Sequence, residues 1–387
     1  MATLTWLTGF EHGVLSVNGA GLFDTIAGTV AVQGAVKRTG SYALQANPSP
    51  AAASYVRKVL ASSIMVVSLY VRFAQWPSTE SVVCQAETTG DSMYIAINPT
   101  THKLYPRIAS TSGSEEGDAL LLDTWYRIDA RFDPTANPWK VDWQLDGTPM
   151  TQFTNAQAAA TMYALWVGPA WSATNNVFYD DVRVSATTDN YPIGPGQVDA
   201  LLPTADGTHN AGTNTMEDND GNDIGVVTAY DHVNQLPMSE STLYVKQSAA
   251  DATKYAEIQF ADVGNYTDYH GVIGQLAYMS ATATTNKGGC VVRRSDGTEI
   301  TIWGNATTPA DYSESSMFYK SAIVTPPAGG WTQTEINALR ARMGYSTDVN
   351  PVPYWENLLL EVAHNAVAAG GGGGVPKQQM HLARQRL

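Results

Sequence analysis

The stretch 124–147, TWYRIDARFDPTANPWKVDWQLDG, decides the fold class. Within 138–145, Trp139, Val141, Trp143 and Leu145 fall on one side of an extended chain, and Lys140, Asp142 and Gln144 on the other. A period of two belongs to a half-buried strand, since helical faces repeat every three to four residues. In 124–132, Trp125, Ile128 and Phe132 mix with Arg127, Asp129 and Arg131. Asp146-Gly147 then supplies a dipeptide that accepts the left-handed backbone of a tight hairpin turn.

The same signal continues outward. The run 62–74, SSIMVVSLYVRFA, is apolar on both faces from Ile64 to Tyr70 except at Ser68. That pattern suits a strand in the middle of one sheet packed on another. Short strand-like segments recur at 80–86, 92–97, 103–108, 162–167 and 176–185. They resume at 224–229, 241–247, 254–261, 271–279, 289–294, 298–303, 316–324 and 355–364, with Asp296-Gly297 as a second hairpin turn. Many short strands, tight turns and little helical periodicity predict a mainly β chain of antiparallel sandwiches of jelly-roll type.

The 387 residues exceed one ordinary domain. Three prolines and two glycines in 188–204, TDNYPIGPGQVDALLPT, break the strand rhythm and mark a linker. The expected organisation is a first sandwich over 1–187, the linker, and a second sandwich over 205–365. One short helix is expected at 333–343, where Thr332-Gln333-Thr334-Glu335 forms a capping box and Ile336, Leu339 and Met343 an apolar face. From 366 to 387 a Gly-rich tail follows, with five consecutive glycines at 370–374. Its last residues carry Lys377, Arg384 and Arg386 without an acidic partner, a basic docking peptide on a flexible tether.

Composition narrows the function. Only 15% of residues are charged, yet the formal net charge is −14. Such a surface repels phosphate backbones, so nucleic acid is not an expected partner. The first residues lack the pattern of a secretory signal, and no apolar run of about 18 residues predicts membrane insertion. Cys84 and Cys290 each sit in an apolar strand-like run and are expected as buried free thiols, which suits folding in a reducing cytoplasm.

Glycoside hydrolysis needs two carboxylates across the scissile bond. Asp180-Asp181 are adjacent and would point to opposite faces of a strand, and Glu115-Glu116 lie in a Gly/Ser loop. No nucleophile elbow, phosphate-cradling loop or paired-histidine motif occurs in the sequence, so no enzyme activity is expected. The loop 217–223, EDNDGND, has a composition that suits calcium, with Asp218, Asp220 and Asp223 as its candidate ligands. It fails the EF-hand pattern, and a plain acidic turn accounts for it better than a calcium site does. No other cofactor is expected. Aromatic residues gather near the end of the first sandwich. Tyr163, Trp166, Trp171 and Tyr179 are candidates for stacking on sugar rings, with Trp171 in the Gly168-Pro169-Ala170 loop the one expected to be exposed.

Several motifs together resemble a known family. The opening Leu-Thr-Gly-Phe-Glu, the TWYRIDARF strand, the DWQLDG hairpin and the closing NVFYDDVRVS resemble concanavalin A-like (LamG-type) jelly rolls of tailed-bacteriophage virion proteins. The stretch YPIGPGQVDALLPT resembles the connector that follows such sandwiches, and the second half resembles their companion domain. The resemblance implies a structural subunit of the virion, in the tail, baseplate or capsid surface, made in the host cytoplasm and assembled in several copies. Its implied partners are other virion proteins and itself. The calcium and sugar ligands of lectins are not matched residue by residue, so a host cell-surface glycan is expected only from the aromatic cluster, in the alternative reading as an adhesion module.

Overall fold

The computed structural model describes residues 4–16, 22–47, 52–210, 216–224, 228–236, 238, 243–266, 268–280, 286–312, 318–347 and 353–365. The tail 366–387, with Lys377, Arg384 and Arg386, lies outside them. The protein is mainly β, and among the described residues its strands form four antiparallel sheets of nine, seven, six and six strands.

The deciding alternation is realised as strand Trp139–Leu145, whose residues are buried and half-buried by turns. It pairs with Trp125–Asp133 in a register that sets Ile128 against Leu145 and Phe132 against Val141. Asp146 and Gly147 take φ of 52° and 85°, as the hairpin turn requires. Met65–Gln75 lies between Trp125–Asp133 and Asn176–Ser185 in the nine-stranded sheet, which explains its apolar character on both faces. The one interruption, Ser68, accepts a hydrogen bond from the buried guanidinium of Arg183 at 2.9 Å. The seven-stranded sheet runs Thr111–Ser112, Leu104–Ile108, Ser92–Ile97, Ser81–Thr88, Met162–Val167, Tyr55–Ser62, Thr25–Ala27. Side chains of both sheets form one core, with Trp143, Phe132, Ile95 and Leu165 among its members. Cys84 and Cys290 are free, buried thiols.

The two six-stranded sheets share a second core around Trp355, Leu358, Ile258 and Val292. Here the structure departs from the expected local readings. Part of the proline-rich stretch read as linker is strand: Gln197–Leu201 pairs with Pro353–His364, and Pro203–Asp206 with Tyr255–Phe260. Val198 and Leu201 are buried there, so flanking prolines masked a real strand. The helix is also shorter than 333–343. It covers Gln333–Asn337, capped by the Thr332 hydroxyl accepting from the Glu335 N–H. Arg340–Gly344 is a strand inserted between Tyr255–Phe260 and Asn286–Arg293. Two ladders of backbone hydrogen bonds outweigh the helical preference of those residues.

The sandwiches meet along a seam that is both apolar and charged. Val198, Met238, Ile273, Leu359 and Ala363 of the second half join the first core. Glu361 reaches across to accept hydrogen bonds from the N–H groups of Gly9 and Glu11 at 3.2 and 2.9 Å, while Gln275 Nε2 donates to its other oxygen. Asp181 accepts from the Val198 N–H at 2.6 Å and pairs with the Arg38 guanidinium.

Candidate functional site: a side-chain row on the seven-stranded sheet

In a sheet, residues paired across strands point to the same face. The pairings Arg107–Tyr94, Tyr94–Gln85, Gln85–Trp166, Trp166–Arg57 and Arg57–Thr25 therefore set a continuous row across six strands of the seven-stranded sheet. Leu165, Val167, Ile95 and Cys84, the alternate residues, belong to the core. The row occupies the face turned away from that core.

One end of the row is open and one is covered. At the open end, Tyr55 stacks on Trp166 with ring centroids 4.2 Å apart. The Trp166 indole N–H and Arg57 Nε both donate to Glu87 Oε2 at 2.9 Å. Tyr163 stands beside them, 42% exposed, with the Arg57 guanidinium 5.0 Å from its ring centroid. Burial works most strongly against the charge of Arg57, but Glu87 and Tyr163 together outweigh it and raise its pKa. At the covered end, Trp171 meets the edge of Tyr94 at 5.0 Å and packs against the small cluster of Val82, Tyr94, Ala96 and Tyr105. Arg107 lies 4.9 Å from the Trp171 centroid and pairs with Glu80.

The four candidate aromatics thus separate. Tyr163 and Trp166 come together on the open end, and Trp171 is half-buried at the other end of the same face. Trp171 was expected to be the exposed ring, but Tyr94 and Arg107 hold it down. Tyr179 is 0% exposed within the first core, so it cannot meet a ligand at the surface. Its segment, VFYDDV, is buried on both faces, so alternation alone does not place its side chains. Tyr55, Arg57, Glu87 and Arg107 were missed; their signal was a mixture of aromatic and charged residues at strand positions.

In the acidic loop, Asp218 is engaged by the turn itself. Asp218 accepts from the N–H groups of Asp220 and Asn222 at 2.9 and 2.8 Å and from Asn222 Nδ2 at 2.9 Å. Desolvation tends to raise its pKa, and these bonds more than offset it, so the carboxylate sits below its ordinary range as a turn-forming group. Among the described residues no group of three His, Cys, Asp or Glu side chains could hold a metal ion.

A cleft of 280 Å³ at the seam is lined by Glu11, Asp199, Asp262 and Tyr266, among others. Glu11 is buried, which pushes its pKa up to about 8, and it accepts from the Ser41 N–H at 2.8 Å. Burial also raises Asp199, but bonds from His364, Tyr266 and Gln197 outweigh it and leave its pKa below the ordinary value. Glu11 and Asp199 face a cleft, yet both are already engaged by donors of the seam.

No protein-family model matches the chain, and no curated protein sequence matches it. Among solved structures, it is similar to a Trypanosoma rangeli sialidase at 13% identity and a TM-score of 0.31, covering 41% of this chain and 27% of the sialidase. Domain 4 of an extracellular arabinanase from Geobacillus stearothermophilus, in complex with arabinotriose, is similar at 18% identity and a TM-score of 0.33, covering 48% of this chain and 93% of that domain. The receptor-binding domain of botulinum neurotoxin type G is similar at 10% identity and a TM-score of 0.32, covering 64% of this chain and 69% of that domain. This chain spans about a quarter of the sialidase, and at these TM-scores each likeness is partial.

Proposed function

We propose that the chain is a non-catalytic structural subunit that contacts glycans through the open end of the seven-stranded sheet. The observation that carries this is the fixed group of Trp166, Tyr55, Tyr163, Arg57 and Glu87 on the outward face. Aromatic rings offer apolar faces to the C–H side of a sugar, while a guanidinium and a carboxylate offer a donor and an acceptor to its hydroxyls. The group is held by its own hydrogen bonds, so binding orders few side chains. The setting that fits the sequence motifs is the virion of a tailed phage, with the seam joining two sandwiches into one building block. Calcium has no part in this reading. A glycan array with the wild-type protein and Tyr163→Ala tests it: glycan binding that falls in the variant supports it, and no binding, or binding unaffected by the variant, refutes it.

A hydrolytic reading has one observation in its favour, the opposite pKa displacements of Glu11 and Asp199 on the seam cleft. Their engagement by backbone and side-chain donors supports a structural role instead. Release of reducing sugar from polysaccharide by the wild type, abolished in Glu11→Gln, would favour hydrolysis.

A further inference from the structure

We infer that the open end of the seven-stranded sheet selects uncharged oligosaccharides over those bearing carboxylate, sulfate or phosphate groups. The inference rests on the glycan-contact reading and names the ligand class of that site.

An acidic sugar is normally held by a guanidinium whose charge is available to it. On this face both arginines of the row are already committed. Arg57 Nε donates to Glu87 Oε2 at 2.9 Å, and Arg107 Nη1 pairs with Glu80. Glu87 is in turn fixed by the Trp166 indole N–H, so it cannot swing away without leaving that donor unpaired. An anionic sugar placed over Tyr163 and Trp166 would meet the Glu87 carboxylate as well as the Arg57 guanidinium. It would lose water from its own charge and gain no net opposite charge in return. The whole protein works in the same direction, because a net charge of −14 repels polyanions on approach. A neutral sugar meets no such penalty. Adjacent hydroxyls of a pyranose can donate to a carboxylate and accept from a guanidinium side by side, and both groups stand ready next to the aromatic rings.

The test is a set of binding titrations with matched neutral and uronate- or sialate-bearing oligosaccharides, using the wild-type protein and Glu87→Gln. The wild type is expected to bind the neutral members at least about tenfold more tightly, a difference of about 1.4 kcal/mol. Glu87→Gln keeps a group that can accept from Trp166 but removes the charge opposite Arg57. It is expected to shift the neutral-to-acidic ratio towards the acidic members. Tighter wild-type binding of acidic members would overturn the inference while leaving glycan contact intact. An unchanged ratio in a folded Glu87→Gln protein would overturn it too. Absence of binding to either set would remove the glycan-contact reading and the inference together.

Discussion

Two regions of this protein hold arginines and carboxylates in opposite ways. On the outward face of the seven-stranded sheet, the pairs Arg57–Glu87 and Arg107–Glu80 keep contact with water. Along the seam, Glu11, Asp181, Arg183 and Glu361 have 1% exposure or less. Charges left at a surface contribute little to stability and are available to a ligand. Charges withdrawn from water must be satisfied within the protein, and their loss is costly. Under the proposed function, recognition falls to the face and cohesion to the seam.

The largest effect is expected from breaking the seam. Asp181→Ala removes the acceptor of the Val198 N–H, the Thr39 hydroxyl and the Arg38 guanidinium. A loss of roughly 3–5 kcal/mol in denaturant-induced unfolding is expected for a broken buried pair. A loss below about 1 kcal/mol would erase the distinction between the two regions.

A pH titration sharpens the comparison. Burial, opposed by bonds from Glu11, Gly9, Thr8 and Gln275, pushes Glu361 up to about 7, and Glu11 is raised to about 8. Both values lie above the ordinary 4.5, so the folded state holds protons that the unfolded chain releases. Their stabilising contribution is complete below pH 4.5 and is lost as pH rises through 7 to 8. The melting temperature should therefore fall across that window. Glu361→Gln keeps an acceptor for Gly9 and Glu11 without the ionisation, and should flatten the fall; an unaltered slope would place the proton elsewhere.

On the face, Tyr163→Ala should weaken binding of a neutral oligosaccharide about tenfold, read by calorimetry. Its unfolding free energy should stay within about 0.5 kcal/mol of the wild type, as for an exposed position. The smallest effect belongs to Glu80→Gln, which alters a partly exposed pair and should change stability by less than about 1 kcal/mol. A larger loss would mean that the covered end of the row behaves like the seam.

Much of the sheet structure was legible because it depends on neighbours in sequence. Trp139 to Leu145 announces its inward side by alternation, and Asp146-Gly147 its turn. Met65–Gln75 reads as a central strand because both its faces are apolar. The seam was not legible, since Glu361 meets Gly9 and Asp181 meets Arg38 only after the chain has folded back over long distances. For the same reason Asp180-Asp181, read as neighbours pointing apart, gave no hint that both are buried. Asp181 takes a φ of 51°, which breaks the simple alternation on which that reading depended. The aromatic cluster was half legible: composition found Tyr163 and Trp166, but only cross-strand pairing brings Arg57 and Glu87 beside them.

The most direct test follows the Trp166 indole N–H by nuclear magnetic resonance while neutral oligosaccharides are added. That proton is bonded to Glu87 at the centre of the open end, whereas Trp143 and Trp355 are buried in the two cores. The Trp166 signal should shift in a saturable way while those of Trp143 and Trp355 stay in place. A bound glycan that leaves the Trp166 signal unmoved, or no saturable binding at all, would contradict the assignment of recognition to this face.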